Sequence, residues 1–237
     1  RKIRAPKMRT NLRTAEMIKY ASNAFLATKI SFINEIGNIC KKIGIDAYDV
    51  AEGMGLDRRI GKHFLSAGCG FGGSCFGKDV SALISKAQQL GYDTKIMKAA
   101  MDVNAEQPLV LYKMLKEKIG KLKGKKVAVL GLSFKPGTDD IRDAPSIRLI
   151  EQLLADGTVV NAYDPKAATN MKKLFPDINY FSSYKEAMKD ADACVVVTEW
   201  EEFRNISKKD AKLMKGSTII EGRKVLGGGV KKDGICW

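Results

Sequence analysis

Short, uninterrupted apolar runs alternate with helical patterns along the second half of this sequence. Each run has the length of a single strand, whereas the segments between the runs have the apolar spacing of helices. Strands that are apolar on both faces are typical of a parallel sheet covered by helices on either side. Residues 120–237 are therefore expected to form a doubly wound α/β domain, with strands at 125–131, 158–163, 178–181, 193–198 and 217–221.

The first half, residues 1–119, has helical patterns alone, so we expect an all-helical domain there. Its longest pattern predicts one helix over residues 14–43, ended by Gly44. Apolar residues recur in this helix every seven positions, at Ile18, Phe25, Phe32 and Ile39. Further apolar residues lie between them, at Leu26, Ile30 and Ile33. A helix that is apolar nearly all round is expected to be buried.

The net charge of +14, from 41 Lys and Arg against 27 Asp and Glu in 237 residues, first suggests a polyanionic partner. Six of the basic residues lie within residues 1–13, where there is no acidic residue, and the rest are spread along the chain. Aromatic residues are not interleaved with basic ones in the way of nucleic-acid-binding modules. We therefore expect no nucleic-acid partner.

Five cysteines, without a Cys-x-x-Cys spacing, and a single histidine, His63, argue against a disulfide framework and a histidine-based metal site. Cysteine usage of this kind favours a reducing, cytoplasmic setting. Apolar runs fall short of the roughly 18 residues that a membrane span needs, and no signal peptide is evident. We expect neither a metal nor a membrane to be involved.

The run Gly68-Cys69-Gly70-Phe71-Gly72-Gly73 satisfies the dinucleotide pattern G-x-G-x-x-G. That fingerprint requires a strand directly before it and a helix that opens on it. The preceding residues, 60–65, lack the alternation of a strand. We interpret the run instead as a loop whose glycines allow a ligand to approach the backbone closely.

Cys75 follows these glycines at the point where the next helix is predicted to start. The helix dipole and the adjacent Lys78 both favour a thiolate there. Asp79 lies one helical turn further on, and a thiol beside a carboxylate suits covalent catalysis, in which sulfur attacks a carbonyl carbon and the carboxylate acts on a water. The alternative is a small buried cysteine beside an acidic helix cap.

Four stretches now carry a family resemblance. Residues 70–79, Gly-Phe-Gly-Gly-Ser-Cys-Phe-Gly-Lys-Asp, resemble the active-site signature of the UDP-glucose dehydrogenase family of nucleotide-sugar 6-dehydrogenases, with Gly77 where that family has proline. Residues 15–29 resemble its central helix, and residues 131–142 resemble the entrance to its C-terminal, UDP-binding domain. Residues 221–223 resemble its late Asp-Gly-Arg motif, with glutamate for aspartate.

This resemblance implies an enzyme that oxidises UDP-glucose to UDP-glucuronate with two NAD⁺. Cys75 would be the nucleophile, which traps the aldehyde as a thiohemiacetal that is oxidised to a thioester. Lys19 and Asn23 match a polar pair of the central helix, and at i and i+4 they project from one face, where together they can hold a water or an oxyanion. Asp79 would act on the hydrolytic water.

The resemblance also implies where the substrate and cofactor bind. Lys78 and Arg142 match positions that face NAD. Arg59 matches an arginine that reaches into the site of a neighbouring subunit, which implies a homodimer built on the long helix. The residues implied to bind the UDP-sugar are Arg59, Phe64, Leu65, Ser66, Ala67, Gly68, Gly72, Phe134, Lys135 and Arg223.

The resembling family has an N-terminal Rossmann domain that binds NAD, and this sequence starts where that domain ends. We therefore expect an incomplete chain that dimerises and binds a UDP-sugar weakly but does not turn over by itself. One alternative is a non-catalytic nucleotide-sugar-binding or regulatory module, consistent with Gly77. Another is an NAD-binding domain in which Asp164 binds a ribose, although Gly131 is not followed by the further glycines of a G-x-G-x-x-G pattern.

Overall fold

A computed structural model of the chain describes residues 6–237, so the first five residues of the predicted basic segment lie outside the described residues. Residues 6–119 are helical, as predicted, and form α1 (Leu12–Ile43), α2 (Ala47–Gly55), α3 (Phe76–Gln89) and α4 (Lys95–Ile119). The Asn11 side chain caps the start of α1 by accepting from the Thr14 amide at 2.9 Å. Gly44 ends the helix in the left-handed region, with φ of 74°.

The second half is a parallel sheet with helices between its strands, which confirms the predicted fold class. Among the residues that the structure describes, the strand order is β3-β2-β1-β4-β5-β6, that of a doubly wound Rossmann-like domain. The strands are β1 (Lys126–Leu130), β2 (Val159–Tyr163), β3 (Asn179–Tyr180), β4 (Ala193–Val196), β5 (Thr218–Glu221) and β6 (Asp233–Gly234). The helices are α5 (Pro145–Ala155), α6 (Ala168–Leu174), α7 (Tyr184–Met188) and α8 (Lys208–Ala211), with a 3₁₀ helix at Glu201–Asn205.

The prediction that α1 is buried nearly all round is wrong for the single chain. Its buried residues, among them Ala27, Ile33 and Cys40, face the other helices and the sheet. The residues that recur every seven positions form a separate, exposed face, on which Phe25 is 66% accessible. We call this set the heptad face: Ile18, Phe25, Phe32 and Ile39. The error arose because two apolar stripes on one helix were taken for a single buried surface.

The helices and the sheet share one apolar core. Ile33 of α1 and Leu111 of α4 belong to the same cluster as Val127 and Val195 of the two central strands. Ile235, just after β6, joins this cluster, so the last residues of the chain pack back against the helices. This shared core fixes the loop between α2 and α3 against the carboxyl ends of the strands.

Gly37 lies in the middle of α1 because the chain's last residues approach it closely. A Cβ at this position would lie 2.6 Å from the Cys236 sulfur. We expect Gly37→Ala to lower the melting temperature by up to about 8 °C, because overpacking costs about 1–3 kcal/mol against a gain of about 1 kcal/mol in helix propensity, and each kcal/mol corresponds to about 2–4 °C. Gly53→Ala in α2 is the matched control, because the added Cβ would have no neighbouring atom within 4 Å. This variant should raise the melting temperature. Equal effects of both variants on thermal unfolding would contradict this.

Candidate active site

Cys75 stands at the N-terminus of α3, exposed to solvent, as the residue that precedes the first helical turn. The other cysteines, Cys40, Cys69, Cys194 and Cys236, are buried. Burial raises the pKa of the Cys69, Cys194 and Cys236 thiols, which keeps them protonated. Among the described residues, Cys75 is therefore the thiol that a solute can reach.

Asp79 lies one turn into α3 with its side chain 1% exposed, and α1 supplies both of its partners. Lys19 donates to its Oδ2 atom, and the Asn23 amide donates to the same oxygen at 2.6 Å. The hydrogen bond from Lys19 lowers the pKa of the Asp79 carboxyl group, and Asp79 in turn raises the pKa of Lys19. The sequence placed Lys19 and Asn23 on one face, and the structure shows that this face holds a buried carboxylate.

The second oxygen of Asp79 is not satisfied in the same way. Its Oδ1 atom is buried and has no hydrogen-bond donor among the described residues. The Lys78 ammonium lies 3.9 Å from this oxygen, beyond hydrogen-bond distance. A buried carboxylate oxygen without a donor is costly, so it is suited to accept a proton or a hydrogen bond from a small molecule that enters beside Cys75.

The glycine run is a buried loop that packs against residues 134–143, with no strand before it. The Gly73 amide donates to the Arg142 carbonyl at 2.7 Å. A Cβ at Gly73, whose φ is 84°, would lie 2.7 Å from the Phe134 ring, and a Cβ at Gly72 would collide with the Asp143 carbonyl. The glycines therefore serve close packing between the two halves of the chain, and the rejection of a dinucleotide fingerprint is confirmed.

Polar side chains that the sequence analysis missed hold this loop. Asn34 of α1 accepts from the Gly68 amide, and Gln107 of α4 donates to the Gly68 carbonyl, both at 2.8 Å. Asn104 of α4 pairs with both backbone groups of Phe71, at 2.7 and 3.0 Å. The sequence could have indicated that Asn34 and Gln107 need hydrogen-bond partners, because both are polar residues on apolar helix faces. It could not have identified those partners, which are distant in sequence.

A cavity of about 290 Å³ brings some of the predicted substrate residues together. It is lined by Ile30, His63, Phe64, Ser66, Phe71 and Arg223. Arg223 is 17% exposed, and its guanidinium donates to the Gly70 carbonyl and lies 3.6 Å from Glu199. The intervening residues Leu65 and Ala67 are buried in the core, so they could contribute only backbone atoms.

Other predicted substrate residues lie apart from this cavity. Phe134 covers Gly73, and the Lys135 ammonium is 5.3 Å from the Phe134 ring centroid. Arg59 is 85% exposed and forms a bidentate ion pair with Asp57, at 2.6 Å for the closest atoms. The structure of one protomer thus leaves Arg59 on the surface.

A second cavity of about 580 Å³ shares Phe71 and Gly72 with the loop and extends between α3, α4 and α5. Lys78 lines it, together with Asn104, Asp143 and Arg148. Arg142, the other predicted cofactor residue, does not line it, because its guanidinium pairs with Asp140 at 2.6 Å on the surface. The ammonium of Lys78, the guanidinium of Arg148 and the side-chain amide of Asn104 can donate hydrogen bonds there, which suits a phosphate-bearing ligand.

The interpretation of Asp164 as a ribose ligand is wrong. Asp164 is 4% exposed, and its Oδ2 atom accepts from the Leu132 amide and the Trp200 indole at 2.7 and 3.0 Å. Its Oδ1 atom accepts from the amides of Lys166 and Ala167, both at 2.8 Å. The carboxylate therefore closes the carboxyl end of the sheet and has no free acceptor for a nucleotide.

In residues 6–237 no three His, Cys, Asp or Glu side chains lie in an arrangement that could hold a metal ion. No helix within the same range is both long enough and apolar enough to span a membrane.

Comparison with known proteins gives matches to both halves of the chain. Residues 13–106 match the central domain of the UDP-glucose/GDP-mannose dehydrogenase family, and residues 128–228 match the UDP binding domain of the same family. UDP-glucose 6-dehydrogenase AglM of Haloferax volcanii is 50% identical over 97% of this chain and 52% of its own length. UDP-glucose 6-dehydrogenase TuaD of Bacillus subtilis is 47% identical over 92% of this chain and 48% of its own.

Solved structures give the same result. A UDP-glucose dehydrogenase from Pyrobaculum islandicum matches with a TM-score of 0.93 and 38% identity, over 100% of this chain and 54% of its own. A UDP-D-ManNAc dehydrogenase from Pyrococcus horikoshii matches with a TM-score of 0.81 and 29% identity, over 95% of this chain and 52% of its own. The chain thus spans about half the length of the relatives that it matches.

Proposed function

The chain belongs to the UDP-glucose/GDP-mannose dehydrogenase family, and from that membership we propose that it forms the thiol-bearing and substrate-binding part of an NAD-dependent UDP-glucose 6-dehydrogenase. The observation that carries the proposal is the pairing of an exposed thiol, Cys75, with a buried carboxylate, Asp79, at the start of one helix. UDP-glucose is favoured over N-acetylated sugars because the relatives named for it are 38–50% identical, against 29% for the UDP-D-ManNAc enzyme.

Cys75 would act once the C6 alcohol has become an aldehyde. Its sulfur attacks the aldehyde carbon, the C–S bond forms, and the carbonyl oxygen takes a proton to give a thiohemiacetal. Loss of a hydride and a proton from this adduct gives a thioester, and water then releases the carboxylate and regenerates the thiol. The adduct keeps the aldehyde bound until it is oxidised, which explains the need for a nucleophile in this place.

Asp79 would act on the hydrolytic water. Its Oδ1 atom has no donor within residues 6–237, so it can accept a proton from water that approaches the thioester. Lys19 and Asn23 keep the carboxylate in place and ionised, because both donate to Oδ2. The Lys19 ammonium would also stabilise the negative charge that develops on the carbonyl oxygen of the reacting group.

NAD, when bound, supplies the hydride acceptor for both oxidation steps. Lys78 and Arg148 in the second cavity would hold its phosphates, which suits the donors found there. The UDP-sugar would occupy the first cavity, where Arg223 offers charge to a diphosphate and Phe64 offers a ring for packing. Gly68, in the same loop, would border this ligand, whereas Gly72 lines the second cavity and Phe134 and Lys135 would contact only a part of the ligand that extends beyond the first.

We propose further that the protein is a homodimer through the heptad face of α1. Apolar side chains of this extent on one helix face are typical of a covered surface, and a second copy of α1 offers a matching stripe. Lys29 of α1 donates to the Ile60 and Gly61 carbonyls, at 3.0 and 3.4 Å, and so fixes the Arg59 loop beside this face. Arg59 would then reach the neighbouring site.

The test has two parts. Calorimetric titration of the 237-residue chain with UDP-glucose should show one binding site per chain. A protein that carries this chain together with an NAD-binding domain should form two NADH for each UDP-glucuronate. Binding without NADH formation by that protein would favour the non-catalytic nucleotide-sugar module, and failure to bind would contradict the proposed pocket.

A further inference from the structure

Tyr48 of α2 is joined directly to the loop that forms the first cavity. Its phenol donates to the Ala67 carbonyl at 2.9 Å, from a position outside the cavity. Ala67 lies next to Ser66, which lines the cavity. Burial raises the pKa of Tyr48 to about 12, so the hydroxyl keeps the proton that this bond requires.

This part of the loop needs such support more than the rest. Gly68 and Phe71 are held by three side chains of α1 and α4, whereas the stretch from Phe64 to Ala67 precedes those anchors. Phe64 has a φ of 63°, in the left-handed region, which a residue with a Cβ keeps only when its surroundings enforce it. Phe64 and Ser66 both face the cavity.

The ring of Tyr48 is itself clamped by residues distant in sequence. Trp237 packs edge-on against it, with ring centroids 5.3 Å apart and an angle of 86°. The Lys224 ammonium lies 4.9 Å from the centroid of the Tyr48 ring and also pairs with Asp46, the residue that caps α2. A cation and an aromatic edge thus fix the ring from two sides.

The segment that carries Trp237 is anchored in turn to the helices. We call residues 233–237 the strap. The Asp233 carboxylate pairs with Lys41 of α1 and Lys118 of α4. Lys41 also donates to the Trp237 carbonyl at 2.7 Å, and the Cys236 carbonyl accepts from the Ala47 amide at 3.1 Å. The strap therefore connects α1, α2 and α4 behind the cavity.

We propose that Tyr48 is a positioning residue for the nucleotide-sugar loop, and that the strap holds Tyr48 in the orientation that this role requires. The inference rests on the proposed binding of UDP-glucose in the first cavity. The affinity for UDP-glucose would then depend on two successive contacts, the packing of Trp237 against the Tyr48 ring and the hydrogen bond from the Tyr48 hydroxyl to the Ala67 carbonyl. None of these three residues lines the cavity.

The test is the affinity of Tyr48→Phe for UDP-glucose. This variant keeps the ring and its packing but removes the hydroxyl, so we expect the Kd to rise about fivefold to tenfold, in line with the loss of one hydrogen bond. Hydrogen exchange should become faster in peptides that cover residues 64–67. An unchanged Kd would overturn the proposal, and failure of the unmodified chain to bind would instead contradict the pocket itself.

The matched control is Tyr112→Phe. Tyr112 of α4 donates its phenol to Asp156 at 2.6 Å, away from the loop, so removal of this hydroxyl costs a similar hydrogen bond without touching the cavity. The Kd of Tyr112→Phe for UDP-glucose should equal that of the unmodified chain. An equal weakening in both tyrosine variants would show that Tyr48 acts on stability alone.

Trp237→Ala should weaken the binding of UDP-glucose to the same extent as Tyr48→Phe, and the double variant should show no further loss. Trp237→Phe keeps an aromatic ring against Tyr48 and should bind UDP-glucose as the unmodified chain does.

Discussion

Cys75→Ser is expected to abolish the overall oxidation of UDP-glucose in a protein that carries this chain and an NAD-binding domain, with a loss of about 10³-fold or more. A serine hydroxyl at this position is not ionised at neutral pH and is a much weaker nucleophile than a thiolate. His63, the single histidine of the chain, lines the first cavity, which does not include residue 75. Formation of UDP-glucuronate, followed by NADH absorbance and by chromatography, measures the loss. A variant with the original rate would show that Cys75 is not the nucleophile.

Two controls separate chemistry from binding in this experiment. UDP-glucose should bind Cys75→Ser with an unchanged Kd, because the cavity that contains Arg223 does not include residue 75. In the unmodified chain, iodoacetamide should modify Cys75 first, since Cys40, Cys69, Cys194 and Cys236 are buried. Equal alkylation of a buried cysteine would contradict the described accessibility.

The sheet could be predicted from the sequence because its central strands are buried on both faces and bounded by polar or glycine residues. Strand β1, with the burial of a fully enclosed strand after Lys126, is the clearest example. Strand β6 was missed because two residues, Asp233 and Gly234, carry no periodicity. The face of α1 was misjudged for a different reason, since a sequence shows that Phe25 is apolar but not which other surface covers it.

The candidate site could likewise be predicted from the sequence only where its residues are close together in the chain. Cys75 and Asp79 are one turn apart, so local helix geometry was enough to place them together. The contact of Asp79 with Lys19 joins residues 60 positions apart, and only the family resemblance suggested a common site. Tyr48 and its bond to Ala67 carried no signal, because a half-buried tyrosine on an amphipathic helix is an ordinary core residue.

Charging the heptad face is expected to separate the proposed dimer. In Phe25→Glu/Phe32→Glu, two exposed rings per protomer are replaced by carboxylates, and burial of each ring would contribute roughly 1.5–3 kcal/mol. With four rings per dimer, the dissociation constant should rise by about 10⁴-fold or more, and sedimentation at micromolar concentration should show a monomer. Leu90→Glu, at a residue 73% exposed after α3, is the matched control and should remain dimeric.

Loss of the dimer should also weaken the binding of UDP-glucose, because Lys29 attaches the Arg59 loop to the helix that forms the proposed interface. In the monomeric variant and in Arg59→Ala, the affinity for UDP-glucose should fall to a similar extent, and combining the changes should lower it little further.

Mixed dimers of Arg59→Ala with Cys75→Ser, in the protein with its NAD-binding domain, should recover activity. The subunit that keeps Cys75 then receives Arg59 from its neighbour. A double Phe25/Phe32 variant that stays dimeric would place the interface elsewhere, whereas mixed dimers without activity would show that Arg59 serves its own subunit.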